Sequence, residues 1–186
     1  MTRGIYPKED YFSKSDFDIY DQILTIDNKE FFFSRFVLLV EGLSDQWVMQ
    51  EFASAEAFDL DEYGISVVPV NGKSNFVRYP KILEGYEIPW MIMADMDKKR
   101  EIIGIFQEVK KQFPKAETHL LSGEIEQILD KKLIIDGKRL FGEGSNSKNK
   151  PLIARYAAKK MLENKFPIPN EIKKVILALK KRVRRD

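Results

Sequence analysis

Six acidic side chains follow three apolar segments of the sequence, each segment having the character of a buried strand. They are Glu41, Asp45, Asp95, Asp97, Glu124 and Glu126. Because the carboxyl ends of parallel strands share one edge of a sheet, we expect these carboxylates to converge there. Like charges at short range are unfavourable, and divalent cations would neutralise them. The spacing of the acids therefore predicts a site for a hard, oxygen-liganded ion such as Mg²⁺ or Mn²⁺.

The composition excludes several other kinds of site. The 186 residues include no cysteine and one histidine, His119, which excludes disulfide frameworks, cysteine-ligated metals and multi-histidine zinc sites. Lys and Arg total 31 against 29 for Asp and Glu, so the net charge is +2. A chain this close to neutral is not a polycation that binds nucleic acid by bulk charge, and any such binding depends on where the charges lie.

Strands and helices are predicted to alternate along the middle of the chain. Apolar runs predict strands at 35–40, 65–70, 90–94 and 118–121, and helical spacing predicts helices at 74–85, 99–112, 151–164 and 170–184. A further helix is expected after the first strand, with Ser44 as its N-cap. The polar, glycine-rich stretch 136–150 predicts a loop. This alternation predicts an α/β fold with a mainly parallel sheet flanked by helices.

One domain with a short lead-in accounts for the whole length. Residues 1–34 are interpreted as a lead-in or linker, 35–130 as the catalytic core, and 131–186 as a loop plus helical extension of the same domain. The N-terminus lacks the apolar region of a signal peptide, and no apolar run reaches about 18 residues. We therefore expect a cytoplasmic protein that does not enter a membrane.

Basic residues mark two candidate contacts with nucleic acid. Lys73 follows the second strand beside Gly72, where a close backbone approach would let its ammonium meet a phosphate. Near the C-terminus, Lys180 and Arg182 belong to a basic run that could follow a DNA backbone, although cations also favour helix C-termini for structural reasons. The G-x-x-x-x-G-K-[ST] phosphate loop is absent, so no ATP site is expected in this chain.

These motifs carry a family resemblance. The segment Phe36–Asp45, with Glu41 after the first strand, and Asp95-x-Asp97 after the third resemble the signature of Toprim domains. More closely, the chain resembles the C-terminal region of the OLD (overcoming lysogenization defect) nucleases. That resemblance covers about residues 30–184 and is carried by the motif Val40-Glu-Gly-x-x-Asp45, the segments 30–35 and 70–75, and the closing segment from 166–170 onward.

The resemblance implies a Toprim-like, Rossmann-like fold and a divalent-metal-dependent DNA nuclease that uses two ions. Glu41 and Asp45 would hold one ion, Asp95 and Asp97 the other, and either Glu124 or Glu126 would complete the ligand shell. It also implies a lysine near the start of the penultimate helix that stabilises charge on the phosphate. Lys150 is preferred for that role over Lys148, which we expect to contact nucleic acid. Enzymes of this family usually carry an ATPase portion, which we expect in the parent chain or in a separate polypeptide.

Three other functions compete with the nuclease. A non-catalytic Toprim module could retain the metal ligands and bind DNA or a partner ATPase. A phosphorelay receiver also has acids at strand ends, but it carries an acidic pair after the first strand, where this chain has Glu41-Gly42. A primase-like or RNA-processing Toprim enzyme normally needs additional domains, for which this chain is too short.

Overall fold

Four short parallel strands form the sheet that positions the acidic residues. They are β1 (Phe36–Val40), β2 (Ile65–Pro69), β3 (Trp90–Ala94) and β4 (Glu117–Leu120), in the spatial order β2-β1-β3-β4. The computed structural model describes residues 7–8, 11–14, 16, 20, 26–96, 99–142 and 149–183. Every residue of β1 and β3 is buried, as expected of central parallel strands whose two faces are both covered.

Seven α-helices accompany the sheet in the described part of the chain. They are α1 (Leu43–Ala55), α2 (Asn75–Gly85), α3 (Lys99–Gln112), α4 (Ile125–Ile128), α5 (Lys131–Phe141), α6 (Lys150–Glu163) and α7 (Asn170–Val183). A 3-10 helix, Ile26–Phe33, leads into β1. Among the described residues, no helix has the length and apolar character needed to cross a membrane.

The two faces of the sheet bury separate apolar clusters. Leu38 and Met93 project to the face covered by α1, α6 and α7, whereas Leu39 and Ile92 project to the face covered by α2 and α3. This alternation follows from the period of two along each strand. The parallel sheet with helices on both faces, predicted from the sequence, is confirmed.

The loop predicted over 136–150 is wrong for its first part, because α5 continues to Phe141. Gly137 lies where α5 crosses α6, and a Cβ at that position would be 3.1 Å from Ile153 Cγ2 and 3.2 Å from Tyr156 Cδ1. The glycine therefore serves close helix packing rather than a turn. Residues 143–148, including Lys148, lie outside the described part of the chain.

Candidate metal centre

The acidic residues gather where the chain changes direction in the sheet. From β1 the chain moves outward to β2, then crosses back to β3 on the other side of β1. Helices that leave neighbouring strands in opposite directions open a crevice at the carboxyl ends of those strands. Glu41 directly follows β1, and Asp95 directly follows β3, so both lie at this crevice.

Asp45 is fixed in the first turn of α1 by a backbone contact. Gly42, not the predicted Ser44, is the N-cap of this helix, and the Gly42 N–H donates to Asp45 Oδ2 at 2.9 Å. The negative charge at the helix N-terminus is favoured by the helix dipole. Ser44 has a different role, because its hydroxyl donates to Glu126 Oε1 at 3.1 Å and so joins α1 to α4.

Asp95 is held in a similar way from the other side of the crevice. The Ile125 N–H donates to Asp95 Oδ2 at 3.2 Å, and the Asp95 residue is 8% exposed. The second oxygens, Asp45 Oδ1 and Asp95 Oδ1, are buried and have no hydrogen-bond partner among the described residues. Buried polar atoms are nearly always satisfied in folded proteins, so two such oxygens in one crevice point to a ligand.

The electrostatics of the crevice show how closely these acids interact. Burial, followed by repulsion from Asp45, Glu41 and Glu126, raises the pKa of Asp95 to about 8. Burial and then repulsion from Glu126 and Glu41 raise the pKa of Asp45 to about 7. The crevice without a cation therefore disfavours the ionised carboxylates, whereas a bound cation would favour them.

Glu124 and Glu126 differ in their partners. Glu126 contributes to the raised pKa of both aspartates, whereas Glu124 Oε2 lies 3.4 Å from the Lys150 Nζ. Burial lowers the pKa of Lys150, but attraction from Glu126 and Glu124 outweighs it, and the net shift is upward. Lys150, at the start of α6, is thus a charged ammonium directly beside the acidic cluster.

The side chain of Lys73 is buried, whereas a lysine that binds phosphate from solvent would be exposed. Its side chain is 6% exposed, and its Nζ is 3.7 Å from Glu41 Oε2. The turn that carries it has positive φ angles at Asn71 (54°) and Gly72 (125°), and Asn75 Nδ2 donates to Val70 O at 2.8 Å. This geometry directs the ammonium inward, where it offsets part of the negative charge next to Glu41.

The combined geometry agrees with a family comparison. Residues 32–97 match the model of the overcoming lysogenization defect protein-like Toprim domain. Residues 32–97 are therefore similar to an OLD-like Toprim domain. The match spans β1, β2 and β3 and includes Glu41, Asp45, Asp95 and Asp97.

Solved structures of the C-terminal regions of OLD proteins share the fold of this chain. The C-terminal region of the Burkholderia pseudomallei OLD protein superposes with a TM-score of 0.59 at 20% identity, covering 81% of this chain and 99% of that one. The C-terminal region of the Xanthomonas campestris pv. campestris OLD protein gives a TM-score of 0.57 at 22% identity, covering 83% and 96% respectively. The predicted Toprim-like α/β fold is confirmed. A search of curated proteins found no match to the chain.

Two predicted nucleic-acid contacts lie away from the acidic crevice. Lys180 Nζ donates to the Glu56 carbonyl at 3.0 Å. Arg182 pairs with Glu117 Oε2 at 2.5 Å, at the amino end of β4 and therefore at the opposite edge of the sheet. The nucleic-acid role of both residues stays a prediction. Asp97 and Lys148 lie outside the described residues.

The oxygen donors of the crevice are of the chemical type that hard divalent cations bind. Within the described ranges, which omit Asp97, no three acidic or histidine side chains are grouped as a cation would require. Three of the acids each accept a hydrogen bond. Asp45 and Asp95 accept from backbone N–H groups, and Glu126 accepts from a side-chain hydroxyl. The remaining aspartate oxygens are hard ligands of the kind that Mg²⁺ and Mn²⁺ prefer.

Proposed function

We propose that this chain is a divalent-metal-dependent DNA nuclease that hydrolyses phosphodiester bonds at the crevice between β1 and β3. One observation carries the proposal. Asp45 and Asp95 are both buried there, each with one oxygen held by a backbone N–H and the other without a described donor. The OLD-like Toprim match supports the same chemistry. The OLD resemblance further supports an ATPase portion, in the parent chain or in a separate polypeptide.

We assign the metal ligands to two sets. Glu41 and Asp45 form one set, and Asp95 with Asp97 forms the other. Glu126 completes the shell in preference to Glu124, because Glu126 repels both buried aspartates whereas Glu124 pairs with Lys150. When bound, Mg²⁺ or Mn²⁺ would supply Lewis-acid stabilisation of the phosphate and a water of lowered pKa.

The lysines of the chain have separate roles in this proposal. Lys150 carries its ammonium at the rim, with its side chain 61% exposed, and is placed to contact a phosphate oxygen as negative charge builds up. Lys73 is a positioning residue, because its buried ammonium contacts Glu41 rather than solvent. DNA contacts by Lys148, Lys180 and Arg182 belong to the proposal as predictions from the sequence.

Cleavage of supercoiled plasmid tests the proposal. The wild type and two variants, Asp95→Asn and Asp136→Asn, are incubated with plasmid in Mg²⁺, in Mn²⁺ and in EDTA. Asp136 is a matched control, because it is a half-exposed acid on α5 that pairs only with a neighbouring arginine in the described structure. We expect metal-dependent cleavage by the wild type and by Asp136→Asn. Asp95→Asn should be slower by at least about 100-fold.

Two results would contradict the nuclease. Equal cleavage by the wild type and Asp95→Asn would show that the activity does not use this crevice. If none of the three proteins cleaves plasmid in either metal, although Mn²⁺ still binds the wild type, the nuclease activity is contradicted. That result would favour a non-catalytic metal-binding module.

A further inference from the structure

One edge of the sheet remains open along β4. The Leu121 N–H donates to Ala94 O at 2.9 Å, so the peptide groups of this residue face β3. Because successive residues of a strand direct their peptide groups to opposite sides, those of His119 also face β3. The N–H and C=O groups of Thr118 and Leu120 therefore point away from the sheet, and no described strand pairs with them.

Neighbouring contacts set the length of this open edge. At one end, the Lys110 ammonium donates to the carbonyl oxygen of Ala116. At the other end, the Ser122 N–H donates to Glu171 Oε2 at 2.9 Å. Between these two contacts, the outward donors and acceptors of Thr118 and Leu120 have no partner in the described part of the chain, and their spacing is the one that an added strand requires.

A groove of about 360 Å³ accompanies the open edge, between β4 and α7. Its lining side chains are Glu117, His119, Lys174, Leu177, Lys181 and Arg182. Lys174 and Lys181 are seven residues apart, two turns of helix, and so lie on one face of α7. Leu177, between them, is 54% exposed, which gives the groove an apolar centre between two cations.

The net positive charge of the groove favours an acidic ligand. Among the described residues that line it, the one acid is Glu117, which is already paired with Arg182 at 2.5 Å, so the charges of Lys174 and Lys181 remain in excess. Lysines beside a strand edge repel neutral or basic strands, but they attract an acidic one. The outward C=O groups of Thr118 and Leu120 need N–H donors, which a peptide backbone supplies and a phosphate backbone does not, so an acidic peptide fits this edge better than nucleic acid.

We propose that the β4 edge and this groove bind an extended acidic segment of a partner protein as a fifth strand of the sheet. Its backbone would exchange hydrogen bonds with Thr118 and Leu120, the main-chain recognition used in strand addition. Alternate acidic side chains would face Lys174 and Lys181, and the intervening apolar side chains would lie on the other face beside Leu120.

The test uses fluorescence anisotropy with synthetic peptides of about seven residues, a typical strand length. The probe is a labelled peptide that alternates glutamate and valine. Two comparison peptides carry N-methyl groups on alternate amides or lysine in place of glutamate. The protein variants are the pair Lys174→Glu with Lys181→Glu, and Thr118→Pro, in which the backbone N–H that is lost points outward rather than toward β3. The matched control is the pair Lys131→Glu with Lys138→Glu, also seven residues apart and exposed, on α5.

We expect the glutamate peptide to bind the wild type and the α5 control equally. Binding should fall at least about tenfold for the lysine peptide, for the N-methylated peptide and for the α7 charge variant. Thr118→Pro should weaken binding by a similar factor without changing the melting temperature of the protein. If the proline variant unfolds, the α7 charge variant still tests the same groove. Equal binding of the N-methylated peptide would overturn strand addition. Tighter binding of a single-stranded oligonucleotide, lost in the α7 charge variant, would assign the groove to nucleic acid instead.

Discussion

Replacing Asp95 by asparagine should stabilise the metal-free protein while removing its response to metal. Asp95 is buried, and its folded pKa of about 8 lies far above the usual value of 3.8. A carboxyl group with a raised folded pKa stabilises the fold fully only below its unfolded pKa. That stability is lost as the pH rises from about 4 toward 8. Asparagine keeps an oxygen that accepts from the Ile125 N–H, and it places an amide donor near the neighbouring carboxylates.

The size of the effect follows from the pKa. If one substitution relieved the whole displacement of the pKa from 3.8 to about 8, the folded protein would gain roughly 6 kcal/mol at alkaline pH. Asp45 shares the repulsion, so we expect only about 2–3 kcal/mol from the single change. For a chain of this length, 1 kcal/mol moves the melting temperature by about 2–4 °C. The expected increase at pH 8 in EDTA is therefore roughly 4–12 °C, shrinking toward zero near pH 4.

Thermal melts followed by circular dichroism measure this directly. The wild type and Asp95→Asn are compared from pH 4 to pH 8 in EDTA, and again at pH 8 with Mn²⁺. Mn²⁺ should raise the melting temperature of the wild type, because a ligand that binds only the folded state stabilises it. Asp95→Asn should show a smaller rise or none.

Asp16, an acid whose pKa is lowered rather than raised by its surroundings, provides the matched control. The Lys81 ammonium lies 2.6 Å from Asp16 Oδ1, and that bond, with those from Ser13, lowers the pKa of Asp16 to about 2. Asp16→Asn should therefore lower the melting temperature at pH 8 and leave the Mn²⁺ response intact. A lower melting temperature for Asp95→Asn in EDTA, or an undiminished Mn²⁺ response, would refute the reasoning about the crevice.

Three further predictions concern other residues at the crevice and the contact between α5 and α6. Lys150→Gln should slow plasmid cleavage by about 100-fold without changing the Mn²⁺-induced rise in melting temperature, because its ammonium is assigned to the phosphate. Glu126→Gln should reduce that rise more than Glu124→Gln does, and the reverse order would exchange their roles. Gly137→Leu should cost about 1–3 kcal/mol in urea denaturation, because α5 and α6 approach closely there, whereas Gly104→Ala, in open space, should be neutral or stabilising.

The central sheet was predictable because its strands are short, apolar and followed by sharp polar breaks. All five residues of β1 are apolar, as expected of a strand that is covered on both faces. The C-terminal half of α5 was not predictable in the same way. Gly137 and its charged neighbours have the composition of a loop, and only the packing of Ile153 against α5 explains why the helix continues.

The convergence of the acids was predictable from the strand-end rule, whereas their individual environments were not. Ser44 and Glu126 are 82 residues apart in sequence, and their hydrogen bond depends on how α4 packs against α1. Asp95 accepts from the backbone N–H of Ile125, and a backbone donor cannot be recognised from the type of residue that carries it. Lys73 was expected to meet a phosphate, and its burial against Glu41 depends on the turn at Asn71-Gly72.

Anomalous diffraction from a crystal grown with Mn²⁺ would locate the ion that we assign to the crevice. We expect an anomalous peak there, within about 2.5 Å of carboxylate oxygens from Asp95 and from at least one of Glu41 and Asp45. The same peak should be absent from crystals of Asp95→Asn. A fully occupied Mn²⁺ elsewhere on the chain, with an empty crevice and an ordered Asp95, would exclude a metal site between β1 and β3.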